Sequence, residues 1–226
     1  MKQRWFVTGD IHGAIHDIIN FIEKFDLSEG DNIIVCGDIA LTWRKDKKDY
    51  DHNIDYYEKY CNGVHLYWID GNHENFDIIK SWNCNKNIYN NSEHIHYCSR
   101  GSILNINEKK ALCMGGADSV DKIWRTEHLS WWEDETITDE DIKGISGHYD
   151  YVFTHCCPSS IFNFNKVYLC TISNINENNA IHTSEMELEK LKNNITYDKW
   201  IFGHYHVNKQ LDNRHMCLYE DYIELK

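Results

Sequence analysis

Within its first 82 residues the chain runs three times through one local pattern: a short apolar run, a glycine beside a polar side chain, then a stretch with helical spacing. Arg4 to Thr8 precedes Gly9-Asp10, Asn32 to Cys36 precedes Gly37-Asp38, and Val64 to Trp68 precedes Asp70-Gly71-Asn72. The stretches Ile15 to Phe25, Asn53 to Tyr60 and about Asn75 to Trp82 read as helices. In the first of them Ile15, Ile18, Ile19, Ile22 and Phe25 share one face. Strand, helix and strand in this order close as a parallel pair with a right-handed crossover, so a mainly parallel α/β sheet is predicted.

Beyond it the pattern changes. Ile88-Tyr89, His94 to Tyr97, Ser102 to Ile106 and Ala111 to Met114 are short strand candidates separated by Asn, Ser, Gly and Lys turns, which suggests antiparallel hairpins. Gly115 to Asp134 lacks periodicity and reads as a long ordered loop. Thr138 to Ile145 reads as a helix capped by Thr138, and Ser184 to Asn193 as a helix opened by the capping box Ser184-x-x-Glu187, with Met186, Leu188 and Leu191 on its apolar face. Tyr151 to Thr154 and Lys199 to Phe202 are strands, and Met216 to Leu225 supplies edge strands. With no repeat and no Pro- or Gly-rich linker, residues 1–226 are expected to form a single domain.

The chain carries 23 Lys plus Arg against 36 Asp plus Glu, a formal charge of −13. That balance repels a polyanion at long range and disfavours nucleic acid as a partner, although bound cations reverse the field inside an acidic pocket. The N-terminal apolar stretch Trp5-Phe6-Val7 is too short for a signal peptide or membrane span, and nine cysteines without a CxxC pair fit reduced thiols; a cytoplasmic protein with no membrane partner is expected.

Five segments place metal-competent side chains just past predicted strands: Gly9-Asp10-Ile11-His12-Gly13, Gly37-Asp38, Gly71-Asn72-His73-Glu74, Thr154-His155 and Gly203-His204-Tyr205-His206. The carboxyl ends of parallel strands lie along one sheet edge, so residues far apart in sequence converge there. Asp10 and His12, like His204 and His206, are two apart and in extended backbone would project to one side. Carboxylates, imidazoles and an amide suit manganese, iron, zinc or nickel better than a soft thiolate-binding ion. Seven donors (Asp10, His12, Asp38, Asn72, His155, His204 and His206) exceed the needs of one four-coordinate ion, and Asp38 is the candidate bridge between two. The other nine histidines, His65, His94 and His96 among them, read as surface or hydrogen-bonded residues.

These motifs, in order, resemble the calcineurin-like metallophosphoesterase family, whose Asp-x-His, Gly-Asp, Gly-Asn-His, lone His and Gly-His-x-His pattern is matched from Gly9 to His206. The resemblance implies a four-layer α/β/β/α sandwich, two central mixed sheets flanked by helices, with two divalent ions at one end, manganese foremost. It assigns Asp10, His12, Asp38 and His206 to one ion and Asp38, Asn72, His155 and His204 to the other. It implies in-line attack on phosphorus by a metal-bridging hydroxide, with His73 donating a proton to the leaving oxygen.

Phosphoprotein phosphatases of this family carry Asp and Arg after the second motif and Arg before Gly-Asn-His-Glu. Here Leu41, Thr42 and Asp70 stand at those places, which argues against that activity, and the chain looks more like the small bacterial and phage-borne members. The expectation is a phosphomonoesterase or phosphodiesterase acting on a small-molecule or nucleotide-like substrate. The alternatives are a nuclease on DNA or RNA ends or single strands, and a scaffold that has lost hydrolysis; the complete donor set and His73 speak against the scaffold. Arg44 and Arg125 are candidate phosphate-binding residues, because a guanidinium grips two phosphate oxygens at once. Trp124, Trp131 and Trp132 read as core or lid packing, Asp118 and Asp121 as loop carboxylates or outer supports of the metals, and Glu133-Asp134-Glu135 with Asp139-Glu140-Asp141 as an exposed helix start.

Overall fold

A computed structural model describes residues 3–43, 47–161 and 183–226. Strands β1 (Trp5–Thr8), β2 (Asn32–Val35) and β3 (His65–Trp68) alternate with helices α1 (Ile15–Lys24), α2 (Lys47–Tyr60) and α3 (Phe76–Ser81). Then follow β4 (Ile88–Asn90), β5 (Ile95–Cys98), β6 (Ser102–Ile106) and β7 (Lys109–Met114). The remainder is α4 (Asp139–Ile142), β8 (Gly147–Thr154), α5 (Thr183–Asn194), β9 (Ile195–Phe202), β10 (Lys209–Gln210), β11 (His215–Cys217) and β12 (Ile223–Glu224).

The strands form two mixed six-stranded sheets, ordered β12-β1-β2-β3-β5-β4 and β10-β11-β9-β8-β7-β6. In the first, β1, β2, β3 and β5 are parallel, with β12 and β4 as antiparallel edges. In the second, β7, β8, β9 and β11 are parallel, with β6 and β10 antiparallel at the edges. The expected hairpins β4-β5 and β6-β7 are present but belong to different sheets, and β5 and β7 each also join a parallel neighbour.

Side-chain alternation divides the apolar residues into three layers, which makes the fold the four-layer sandwich. Phe6, Ile33, Val35, Leu66 and Trp68 face outward onto Ile15, Ile18, Ile19 and Ile22 of α1. On the other outer face Leu112, Met114, Val152, Trp200 and Phe202 meet Leu188 and Leu191 of α5. Between the sheets lie Trp5, Val7, Ile34, Ala111, Cys113, Phe153 and Ile201. Each of these burials contributes roughly 1.5–3 kcal/mol for a large apolar side chain, which sets the stacking of the sheets before any polar contact is made.

Several local expectations are corrected. Helix α2 begins at Lys47 rather than Asn53, and β8 and β9 begin at Gly147 and Ile195, four residues ahead of their apolar runs. Phe25 is 47% exposed and ends α1 instead of extending its buried face. Met186 is 52% exposed while Glu185 and Glu187 are buried. The Ser184 hydroxyl accepts from the Ile137 backbone at 3.0 Å, so it joins α5 to the loop that leads into α4. Thr138 does cap α4: its backbone N–H and hydroxyl both donate to Asp141 Oδ2 at 2.8 Å. Glu135, expected at the surface, is buried. The described cysteines are free thiols; Cys156 and Cys157 are buried against the Gly116 carbonyl and the Tyr205 hydroxyl, a packing role. Among the described residues no helix is long and apolar enough to cross a membrane.

Candidate metal centre

The turns that leave β1, β2, β3, β8 and β9 meet at one end of the two sheets. Asp10, His12, Asp38, Asn72 and His73 come from the first sheet, and His155, His204 and His206 from the second. The extended geometry expected for the Asp-x-His and His-x-His pairs is not what joins them. His12, Asp38, His204 and His206 have φ of 44°, 49°, 69° and 50°, in the left-handed region that non-glycine residues enter sparingly. The chain turns sharply just after each strand, and the gathering of four such residues at one locus makes it the candidate site.

One half of the centre gathers Asp10, His12 and His206. Nε2 of His12 and Nε2 of His206 face each other at 3.0 Å, and His206 Nε2 lies 3.1 Å from Asp10 Oδ2. Asp10 Oδ1 accepts from the His204 backbone N–H at 2.8 Å, while Oδ2 is buried without a hydrogen bond of good geometry. Asp10 holds the His206 imidazole above its ordinary pKa. A buried carboxylate oxygen with two imidazole nitrogens aimed at the same space fits a divalent ion.

In the other half Asp38, Asn72 and His155 are buried. His155 Nδ1 donates to the Cys36 carbonyl at 2.8 Å, leaving Nε2 pointed at Asn72 Oδ1 (3.2 Å) and Asp38 Oδ2 (3.3 Å). The Asn72 amide is turned that way by its Nδ2, which donates to Ser119 Oγ at 3.3 Å. Two oxygen acceptors and a ring nitrogen thus converge, and only a proton or a cation satisfies all three. Burial opposes charge on His155, yet Asp38 and Asp10 push its imidazole up to about 10. Burial likewise opposes ionisation of Asp38, but His155, His73 and His12 hold its carboxyl well below the ordinary range. The proton stands where this donor set fits a metal ion. The His204 ring lies 4.9 Å from that of His155.

Two glycines let the backbone reach this crowded space. A Cβ at Gly71 would overlap Oδ1 and the backbone nitrogen of Asp38, and one at Gly203 would overlap Oδ1 of Asp10.

His73 stands at the rim. Its backbone N–H donates to Asp38 Oδ1 at 2.8 Å, its ring lies 4.5 Å from Trp43, and its Nε2 accepts from Arg125 Nη2 at 3.0 Å. Burial first, and then the Arg125 charge, lowers its pKa against the pull of Asp38. Arg125 is itself held by Asp121 at 2.6 Å and by the Asn72 carbonyl at 3.1 Å, with its guanidinium 5.3 Å from the Trp43 ring. Arg44, the other candidate phosphate-binding residue, lies outside the described residues.

Sequence reasoning missed the supports. Glu74 is buried and accepts from the Ala40 N–H (2.9 Å) and the Thr42 hydroxyl (2.8 Å), bracing the left-handed turn at Asp38. Burial and the Asp38 charge raise its pKa to about 8. Asp70 accepts from Arg100 Nη2 at 2.7 Å and Nε at 2.9 Å and from the Tyr97 hydroxyl at 2.8 Å, so it anchors the Asn72 turn and makes no contact with the donors. Glu135 Oε1 accepts from the Ser119 N–H at 2.6 Å and from Trp131 Nε1 at 2.9 Å, which steadies the serine that orients Asn72. Asp118 joins Thr136 to Ser184. Trp132 is buried, whereas Trp124 is 70% exposed and so packs in no core.

The profile of the calcineurin-like phosphoesterase family matches residues 4–208 of the 226. The chain belongs to that family. Membership implies a metal-dependent phosphoesterase, in keeping with the acid and imidazole groups that cluster at the sheet ends. No curated protein matches the chain.

Proposed function

We propose that the chain hydrolyses phosphoester bonds at a centre of two divalent ions, with a small-molecule or nucleotide-like substrate. The observation that carries this reading is the meeting of acceptors around His155 Nε2 beside a second cluster at Asp10, His12 and His206. Asp10, His12, Asp38 and His206 would hold one ion and Asp38, Asn72, His155 and His204 the other, with Asp38 shared. Manganese is the ion proposed, and iron, zinc or nickel suit the same donors. When bound, such ions polarise phosphoryl oxygens and bring the pKa of water toward neutrality.

The protein's own groups supply the rest. His73 Nε2 is the atom proposed to deliver a proton to the leaving oxygen. That nitrogen accepts from Arg125 and so carries no proton in this arrangement; an entering phosphoryl group would draw the guanidinium onto its oxygens, and the freed Nε2 would take up a proton from solvent before passing it to the leaving oxygen. Beside the centre, a cleft of about 750 Å³ is lined by Asp10, His12, Phe21, Tyr219 and Tyr222, with Tyr219 stacked on His206 and Tyr222 on Phe21. Its size and aromatic faces support a small or nucleotide-like substrate. The net charge of −13 speaks against a long polyanion, and a cytoplasmic location remains part of the proposal.

The test loads the purified protein with manganese, nickel, zinc or magnesium and measures hydrolysis of a chromogenic phosphomonoester, a chromogenic diester, cyclic nucleotides and labelled oligonucleotides. Turnover of a small ester that Asp38→Ala abolishes together with metal content is expected. Retained metal and turnover in Asp38→Ala would refute the centre, and preferential cleavage of oligonucleotides would move the assignment to a nuclease.

A further inference from the structure

At the opposite end of β3 from the metal centre, a second group of ligand-competent side chains comes together. Glu58 lies in the last turn of α2 and Cys61, three residues on, directly follows the helix, its thiol donating to the Glu58 carbonyl at 3.8 Å. His94 precedes β5, and one ligand atom from each of these three residues lies within 4.8 Å of the others. Glu58 Oε2 is 2.6 Å from His94 Nδ1, and its Oε1 accepts from the His94 backbone N–H at 2.9 Å. Taken alone, the Glu58–His94 contact is an ordinary ion pair. The adjoining residues make it more than that.

His65 opens β3 beside them, outside that 4.8 Å grouping, with its ring 5.1 Å from that of His94. Behind it runs a directed chain. His96 Nδ1 donates to Asn90 Oδ1 at 2.8 Å, so His96 Nε2 carries a lone pair and accepts from His65 Nδ1 at 2.8 Å. That assignment leaves His65 Nε2 unprotonated. An imidazole whose far N–H is fixed by an outer acceptor is the arrangement found behind metal-ligating histidines. The residues border a solvent-open depression lined by Asn62, Gly63, His65 and His94, which gives an ion a way in.

We propose that Glu58, Cys61 and His94, with the adjoining His65 drawn in as the fourth ligand, form a separate cation site for one borderline, four-coordinate ion of the zinc class. A thiolate and a carboxylate balance a dication, and two imidazoles complete a tetrahedral set. On binding, Cys61 releases its thiol proton to water and His94 moves its proton from Nδ1 to Nε2. The Glu58–His94 distance opens to about 3.3 Å, the edge of a tetrahedron with ligand bonds near 2.0–2.1 Å. The ion ties the end of α2 to the starts of β3 and β5, on the side of the sheet away from the phosphoesterase centre.

Cobalt(II) titrated into the full-length protein distinguishes the two sites, because the residues of the phosphoesterase centre include no cysteine. An intense thiolate-to-cobalt charge-transfer band in the near ultraviolet is expected, saturating at about one equivalent once the phosphoesterase centre is removed by Asp38→Ala. It should be lost in Cys61→Ser and persist in Asp38→Ala. Glu58→Gln, a partly exposed change that preserves shape, should raise the half-saturating cobalt concentration at least tenfold. Zinc should raise the unfolding temperature of Asp38→Ala but not of Asp38→Ala/Cys61→Ser. Absence of the band from the folded wild-type protein, its survival in Cys61→Ser, or an unchanged midpoint in Glu58→Gln would overturn the assignment.

Discussion

Arg125 Nη2 donates to His73 Nε2 across 3.0 Å, so the guanidinium and the proposed proton donor form one unit. Removing the guanidinium takes away both an anion-binding group and the partner that orients the imidazole. Arg125→Ala is expected to lower kcat/KM by about 10²-fold, the scale for one lost transition-state donor. Arg125→Lys should restore only part of it, since an ammonium lacks the planar fork. Steady-state kinetics on a chromogenic ester give the answer, and unchanged constants would remove Arg125 from the mechanism.

His73 shares its backbone with the Asn72 turn but is not proposed as a ligand. His73→Asn should therefore lower kcat by about 10²–10⁴-fold, the range for a lost general acid, while metal content stays at the wild-type level. Elemental analysis beside the kinetics separates this from loss of the centre.

Gly71 stands where a Cβ would press on Asp38. Gly71→Ala is expected to weaken metal affinity by about 10–100-fold, as displaced supports of metal ligands do, without changing the far-ultraviolet circular dichroism. Metal titration by calorimetry checks it; unaltered affinity would mean that the Asp38 turn yields easily.

Arg100 and Asp70 form a buried pair, with side chains 11% and 0% exposed. Arg100→Leu strands the carboxylate and should cost about 3–5 kcal/mol in denaturant unfolding. Asp70→Asn added to it should recover much of that loss, because no unpaired buried charge remains.

Burial lifts the Glu135 carboxyl from its ordinary 4.5 to about 7, against the hydrogen bonds from Ser119 and Trp131. A carboxyl that binds its proton more tightly in the folded state contributes stability that is full below about pH 4.5 and lost as pH rises through about 7. The wild-type unfolding free energy should therefore fall across that window by more than that of Glu135→Gln, with a difference of at most about 3 kcal/mol and a matching divergence of the two unfolding temperatures. Parallel thermal curves for the two proteins would show that Glu135 does not titrate there.

The candidate donors were legible because the chemistry demands them in short contiguous motifs, and parallel strands that end in such motifs have one edge at which to meet. The local geometry was not, because the left-handed turns at His12, Asp38, His204 and His206 belong to a conformation that Asp and His enter only sparingly and that no motif spacing announces. Polar strand starts escaped for a similar reason. Gly147, His148, Thr196 and Asp198 carry no apolar alternation, and it is the pairing of β8 with β9 that holds them extended. The first turns of α2, with Lys48, Asp49, Asp51 and His52, likewise lack an apolar face. Burial of Glu135 and Asp70 depends on Trp131, Ser119, Arg100 and Tyr97, partners that no window of sequence brings together.

The apolar layer between the sheets has a further consequence. Asp10, Asp38 and Asn72 ride on one sheet and His155, His204 and His206 on the other, so the hydrocarbon of Val7, Ile34, Phe153 and Ile201 acts as a calliper whose jaws are the two donor sets. Trimming or fattening one of those side chains would retune the grip on a cation from a distance, with every donor left in place.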